Sequence, residues 1–181
     1  MPTLFEILRD TREQPDHGWT FGASDQCSGT TVATLKTGDY SLTGLEDVVA
    51  IERKGSIREF SGNLDDPRFF AELDRLKSFR RAAIILEFSV SDVLSWPHRS
   101  GLTKAQQAKV RKKGPYLLKL IIGLMTDYPT IPVIFAASKG KEIALAFLKR
   151  AWADFAPLPA PVGDSPDGRK RPQDSPLIVG R

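Results

Sequence analysis

The stretch Val48-Val49-Ala50-Ile51-Glu52-Arg53-Lys54 decides the fold. Val48, Val49 and Ile51 supply β-branched, apolar bulk that runs into a charged end, which predicts a strand. Upstream, Thr37-Gly38 is a turn and the short run Asp39 to Thr43 is a second strand, so a hairpin through the turn at Gly44 joins the two. Before these, Thr30 to Lys36 is rich in β-branched residues, and Leu4 to Arg9 is an apolar run ended by the polar segment 10–18. Together these segments predict an N-terminal meander of short strands.

Downstream of Lys54 the spacing turns helical. Ser56 is placed to cap a short helix through Leu64, and Pro67 suits the first turn of a second, with Phe69, Phe70, Leu73, Leu76 and Phe79 on one stripe. That stripe needs a receiver, and residues 82–88 form an apolar strand continuous enough to be covered on both faces. Residues 89–114 give no firm pattern beyond a turn at Trp96-Pro97 and a basic polar stretch compatible with helix. Tyr116, Leu117, Leu120, Ile121 and Leu124 then recur at helical spacing, Ile131 to Ala137 is a further buried strand, and a last helix starts near Ser138 and ends before Pro157. The fold class is therefore α/β, a central mixed β-sheet flanked by helices, spanning residues 1–156. Residues 157–181 hold six of the 13 prolines and the run Arg169-Lys170-Arg171, and read as a flexible basic tail.

Composition narrows the class. With 181 residues, 41% hydrophobic and 27% charged, the chain suits one globular core. Its 26 Lys and Arg against 22 acids give a net charge of +4, a mild bias toward a polyanionic partner. Cys27 is the single cysteine, so no internal disulfide and no cysteine-rich zinc site can form. The N-terminal residues lack the basic patch and apolar run of a secretion signal, and no apolar stretch reaches the roughly 20 residues that span a bilayer. These features predict a cytoplasmic protein with no membrane association.

The chemistry concentrates at the strand end. Glu52 and Lys54 are two apart on a strand and project from one face, while Arg53 points away and leaves its carbonyl free to turn inward. Asp39 lies thirteen positions before Glu52 at the start of the preceding strand, where the hairpin brings it alongside. Two carboxylates and a carbonyl are hard oxygen donors suited to Mg²⁺ or Mn²⁺, and such an ion serves phosphodiester hydrolysis, with Lys54 holding water or offsetting phosphate charge. A Glu-x-Lys at a strand end is otherwise a common solvated ion pair. Asp10 and Glu13, after the first strand, add acids nearby. Lys104, Lys109, Arg111, Lys112 and Lys113 form a basic cluster suited either to DNA phosphates or to a solvated face. His17 and His98 are too isolated to make a metal site, and Trp19, Trp96 and Trp152 read first as core or lid aromatics.

Asp10-Thr11-Arg12-Glu13, Gly38-Asp39-Tyr40 and Ile51-Glu52-Arg53-Lys54 resemble, in order, three blocks of the nuclease domain of XPF-type structure-specific endonucleases, a branch of the restriction-endonuclease-like superfamily. The likeness spans about residues 5–90. It implies a mixed sheet flanked by helices, dependence on Mg²⁺ or Mn²⁺, and endonucleolytic cleavage of branched or forked DNA by a homodimer or heterodimer. By the same resemblance Asp39 and Glu52 are metal ligands with the Arg53 carbonyl, Lys54 is the catalytic lysine, and Asp10, Arg12, Glu13 and Arg53 support the site. The sequence departs from the pattern where the family carries an acid four residues after the lysine. Arg58 stands there, with Glu59 next to it. Larger relatives continue into tandem helix-hairpin-helix motifs, where this chain runs into its Pro-rich stretch. A short nuclease of this kind suits a bacterial or phage setting, associated with the nucleoid. The alternatives are a non-catalytic DNA-binding or scaffold module of the same fold, and a resolvase or restriction-type nuclease with another substrate.

Overall fold

A computed structural model describes residues 4–13 and 17–156. The tail assigned to 157–181 lies outside the described residues. Six strands form one mixed sheet: β1 (Phe5–Asp10), β2 (Cys27–Ala33), β3 (Tyr40–Leu42), β4 (Val49–Lys54), β5 (Arg81–Leu86) and β6 (Val133–Phe135), in the spatial order β2-β1-β3-β4-β5-β6. The helices are α1 (Ile57–Asn63), α2 (Pro67–Leu76), α3 (Val90–Ser95), α4 (Lys104–Ala108), α5 (Gly114–Asp127) and α6 (Gly140–Phe155), the last entered through a single 3-10 turn at Ala137–Lys139. This is the α/β, restriction-endonuclease-like architecture expected from the sequence.

The meander needs correction. β2 starts at Cys27, stops at Ala33 and runs parallel to β1 on the outer edge, while β3 pairs antiparallel with β1 on its other side. Leu35 therefore leaves the sheet, and its N–H donates to the side chain of Asp10, Oδ2, at 2.7 Å instead of to a strand backbone. The β3–β4 hairpin forms as expected, with Tyr40 paired to Ile51. Gly38 makes that approach possible. Its φ is +80°, and a Cβ there would meet the Ile51 carbonyl oxygen at 3.1 Å, so a side chain would push the strands apart just before Asp39.

β4 and β5 are parallel and buried on both faces, which explains their nearly continuous apolar runs. On one face Ala50, Ala82, Ile84 and Leu86 meet Phe60, Phe69, Leu73 and Leu76 of α1 and α2, with Leu117, Ile121 and Leu124 of α5. Ile7, Tyr40, Ile51 and Ile85 on the other face receive Ala144, Leu148 and Ala151 of α6. The helix starts obey the sequence. Ser56 accepts from the Glu59 N–H, and Asp66 caps α2 with Pro67 in its first turn. Among the described residues no helix is long and apolar enough to cross a membrane.

Candidate active site

β4 ends at Lys54 where β3 has not yet begun, so its last peptide groups on that side lack a strand partner. The Arg53 N–H turns to the Asp39 side chain instead and donates to Oδ2 at 2.7 Å. Backbone alternation points the Arg53 carbonyl to the same side of β4 as its N–H. Asp39 is itself fixed through the main chain: its N–H donates to the Ile51 carbonyl at 2.8 Å, and its carbonyl accepts from Asp10 N–H at 2.8 Å. The two-residue period sends Glu52 and Lys54 to the face that carries α1 and α2. There Lys54 Nζ donates to Glu52 Oε1 at 2.6 Å and lies 5.2 Å from the Phe69 ring centre. Glu52 is only 3% exposed, and its second oxygen, Oε2, is buried without a partner among the described residues. A buried carboxylate oxygen left bare is costly unless something binds it.

The electrostatics follow from this crowding. Burial, and then the charge of Glu52, push the Asp39 carboxyl well above its usual value, against the Arg53 N–H and Lys54. Burial likewise raises Glu52 to about 7, with Lys54 opposing and Glu72 adding to the rise. For Lys54, burial alone would favour the neutral amine. Glu52, with Asp39 and Glu59, outweighs that cost and holds the ammonium above its ordinary value. The site is thus a pair of adjoining acids that resist sharing two negative charges, with a cation tied to one of them.

These shifts carry a pH signature. A carboxyl with a folded pKa above its unfolded one binds protons more tightly when folded, so its contribution is fully present below about 4.5 and is lost as pH rises through 7. In chelator, the melting temperature is expected to fall between pH 5.5 and 8, with a flatter profile for Glu52→Gln. Asp10 does not interfere, because its carboxyl is held below the usual range and acts only in stronger acid. Superimposable profiles for the two proteins would show that Glu52 ionises normally.

Around this pair the structure places the other expected residues one step out. Asp10 is buried, with Oδ1 accepting from the Arg12 backbone and Nε, both at 2.7 Å, and Oδ2 accepting from Arg12 Nη2 and from Leu35 N–H. Arg12 also reaches the Leu35 carbonyl, so Asp10 and Arg12 pin the chain leaving β1. Arg53 sends its guanidinium to the opposite face, with Nη1 2.5 Å from Glu13 and Nη2 2.5 Å from Glu87, over the Trp19 ring. Trp19 stacks on Tyr40, and its indole N–H donates to Glu87 at 2.6 Å. Glu59 lies 3.8 Å from Lys54 and accepts from Gly55 N–H, so it supplies an acid beside the lysine where Arg58 does not.

Glu72 and Glu87 were not singled out by the sequence. Glu72 accepts from Gly38 N–H at 3.1 Å and so braces the turn before Asp39. Glu87 follows β5 directly, and the parallel register Lys54↔Leu86 brings it beside the end of β4. That position was a readable signal, since sites in parallel sheets gather at the carboxyl ends of strands. Of the basic cluster, Lys112 is bound to Asp65 and the Ser61 carbonyl, whereas Lys104, Lys109, Arg111 and Lys113 are exposed. An open groove of about 760 Å³ runs past Arg12, Glu13, His17, Asp39, Arg53 and Glu59. Among the described residues no three His, Cys, Asp or Glu side chains gather as a metal cage. The donors that fit a hard cation are Glu52 Oε2, the Asp39 carboxylate and the Arg53 carbonyl.

Residues 9–145, most of the chain, match the ERCC4 domain family. The chain belongs to that family. The ERCC4 domain here contains Asp39, Glu52, Arg53 and Lys54 within the matched span. Its fold is similar to that of XPF from Aeropyrum pernix, at 21% identity and a TM-score of 0.51, over 82% of this chain and 67% of that one. The same archaeal protein in a structure titled as a complex with DNA matches at 22% identity and a TM-score of 0.51, over 82% of this chain and 65% of that one. The chain thus spans about two thirds of those structures. No curated protein sequence matches it.

Proposed function

We propose that the chain is a divalent-metal-dependent DNA endonuclease that hydrolyses phosphodiester bonds at branched or forked DNA. The observation that carries this reading is Glu52: buried, with one oxygen on Lys54 and the other without a partner among the described residues, beside an Asp39 carboxyl that burial and Glu52 both drive toward its neutral form. A bound dication would relieve that conflict. Asp39, Glu52 and the Arg53 carbonyl would hold it. Mg²⁺ or Mn²⁺ there supplies a Lewis acid for the phosphoryl group and a source of nucleophile near neutral pH.

The protein's own residues do the rest. Lys54 stays protonated because Glu52 holds it, so it serves as a hydrogen-bond donor and positive charge toward phosphoryl oxygens, not as a base. Glu59 keeps the ammonium from turning away. The Arg53 N–H fixes one Asp39 oxygen and thereby aims the other. Glu13, Glu87 and Trp19 hold Arg53 from the far face, and Asp10 with Arg12 fixes the loop that carries Glu13. The likeness to an XPF structure solved with DNA and the basic total charge support DNA as the partner. The same reading takes a homodimer or heterodimer as the working assembly.

Purified protein is expected to nick labelled forks when Mg²⁺ or Mn²⁺ is added, to stop when the ion is chelated, and to prefer forks over four-way junctions and linear duplex. Cleavage that persists in chelator, or none on any of the three substrates with either ion, would overturn the proposal.

A further inference from the structure

A second cleft, of about 440 Å³, opens between the start of α1, α3 and the turn from Trp96 to Leu102. It shares Ser56 and Glu87 with the groove that passes Asp39 and Arg53, so the two adjoin. Its volume lies within the range of small-ligand sites, about 300 to 1,000 Å³. Ile57, Phe88, Trp96 and Leu102 give it apolar walls. Trp96 is 8% exposed, and its indole N–H is buried with no acceptor among the described residues. Arg58 and Arg99 stand exposed at the rim, and neither makes an ion pair among the described residues. Of the two acids present, Glu87 is paired with Arg53, which Glu13 shares, and Asp92 caps α3 through Ser89 and lies within the field of Arg99.

Apolar walls and two exposed guanidiniums match one chemical object, a nucleotide. The apolar walls suit a base, and the guanidiniums suit phosphates on either side. A base paired within a duplex cannot enter such a cleft without leaving its stack. We propose that this cleft holds one unpaired nucleotide of the substrate strand next to the cleavage position, with Arg58 and Arg99 gripping its backbone. This rests on the DNA endonuclease reading and adds to it. Arg58, which breaks the sequence pattern of the family, thereby gains a role as a DNA contact in place of the acid that the pattern carries there.

The test is binding, read by fluorescence anisotropy in chelator so that turnover plays no part. Forked DNA with a single-stranded flank and blunt duplex of equal length are compared for the wild type and for the double variant Arg58→Ala, Arg99→Ala. The variant is expected to lose about tenfold in affinity for the fork and less than about twofold for the duplex, as the loss of a stacked, gripped base would dictate. With wild type, a single abasic substitution stepped along the flank is expected to weaken binding at one position only, and that dependence is expected to vanish in the variant. Equal losses on fork and duplex, or an abasic scan with no special position, would overturn the cleft assignment while leaving the nuclease reading intact. Absence of binding to both DNAs by the wild type would overturn both.

Discussion

Glu52→Gln is expected to reduce metal-dependent nicking by at least about a thousandfold while leaving DNA affinity in chelator within about twofold. The substitution preserves the shape of the side chain and the acceptor that Lys54 uses, so the fold and the lysine position survive. What disappears is the charge on the oxygen that has no partner among the described residues. A neutral amide carbonyl is a weak donor to a hard dication, and its NH₂ would face the ion's place with the wrong polarity. The loss is therefore expected in turnover and not in DNA binding. Raising the Mn²⁺ concentration should recover part of it, because weaker ligation is offset by mass action. A variant cutting within about tenfold of wild type at equal metal would remove Glu52 from the chemistry, since even one lost transition-state contact usually costs more. The melting profile keeps this interpretable: if Glu52→Gln is more stable than wild type above pH 7 in chelator and yet inactive with metal, the inactivity cannot come from unfolding.

Much of this site was legible because its geometry is local. A strand fixes which side chains share a face, so Glu52 and Lys54 could be paired from spacing alone. The glycine before Asp39 announced a turn, and the hairpin supplied the rest. Helix starts at Ser56 and Pro67 were readable for the same reason, as each signal acts within one turn. The parallel placement of β2 was not readable. Nothing in Thr30 to Ala33 states which edge it joins, and consecutive strands pair with each other often enough to make a meander the natural expectation. Residues 89–114 resisted because α3 and α4 are too short for hydrophobic periodicity, yet the capping boxes at Ser89 with Asp92 and Thr103 with Gln106 stood in the sequence as start signals. Glu72 and Glu87 depended on contacts between segments far apart in the chain. Glu87 touches Arg53 only because β5 runs parallel to β4.

Arg53→Met is expected to destabilise the fold by about 3 to 5 kcal/mol, measured by chemical denaturation in chelator. Arg53 is 10% exposed in its side chain, and its guanidinium answers two carboxylates, Glu13 at 11% and Glu87 at 22%. Taking three such charges out of water costs several kcal/mol each, and the arrangement persists because the central cation serves both acids at once. Removing the cation leaves the desolvation unpaid on both sides and adds mutual repulsion between the acids. Methionine keeps the volume under Trp19, so the loss reads charge and not packing. Adding Glu87→Gln to Arg53→Met is expected to return part of the stability, since one uncompensated charge is gone, and the non-additivity measures the coupling. A loss under about 1 kcal/mol would mean that the network is screened like a surface pair. The consequence for the site runs through the backbone: the peptide that carries this guanidinium on one face orients Asp39 on the other. A strand end that loses its anchor is expected to loosen Asp39 as well, so that the melting shift caused by Glu52→Gln shrinks in the Arg53→Met background.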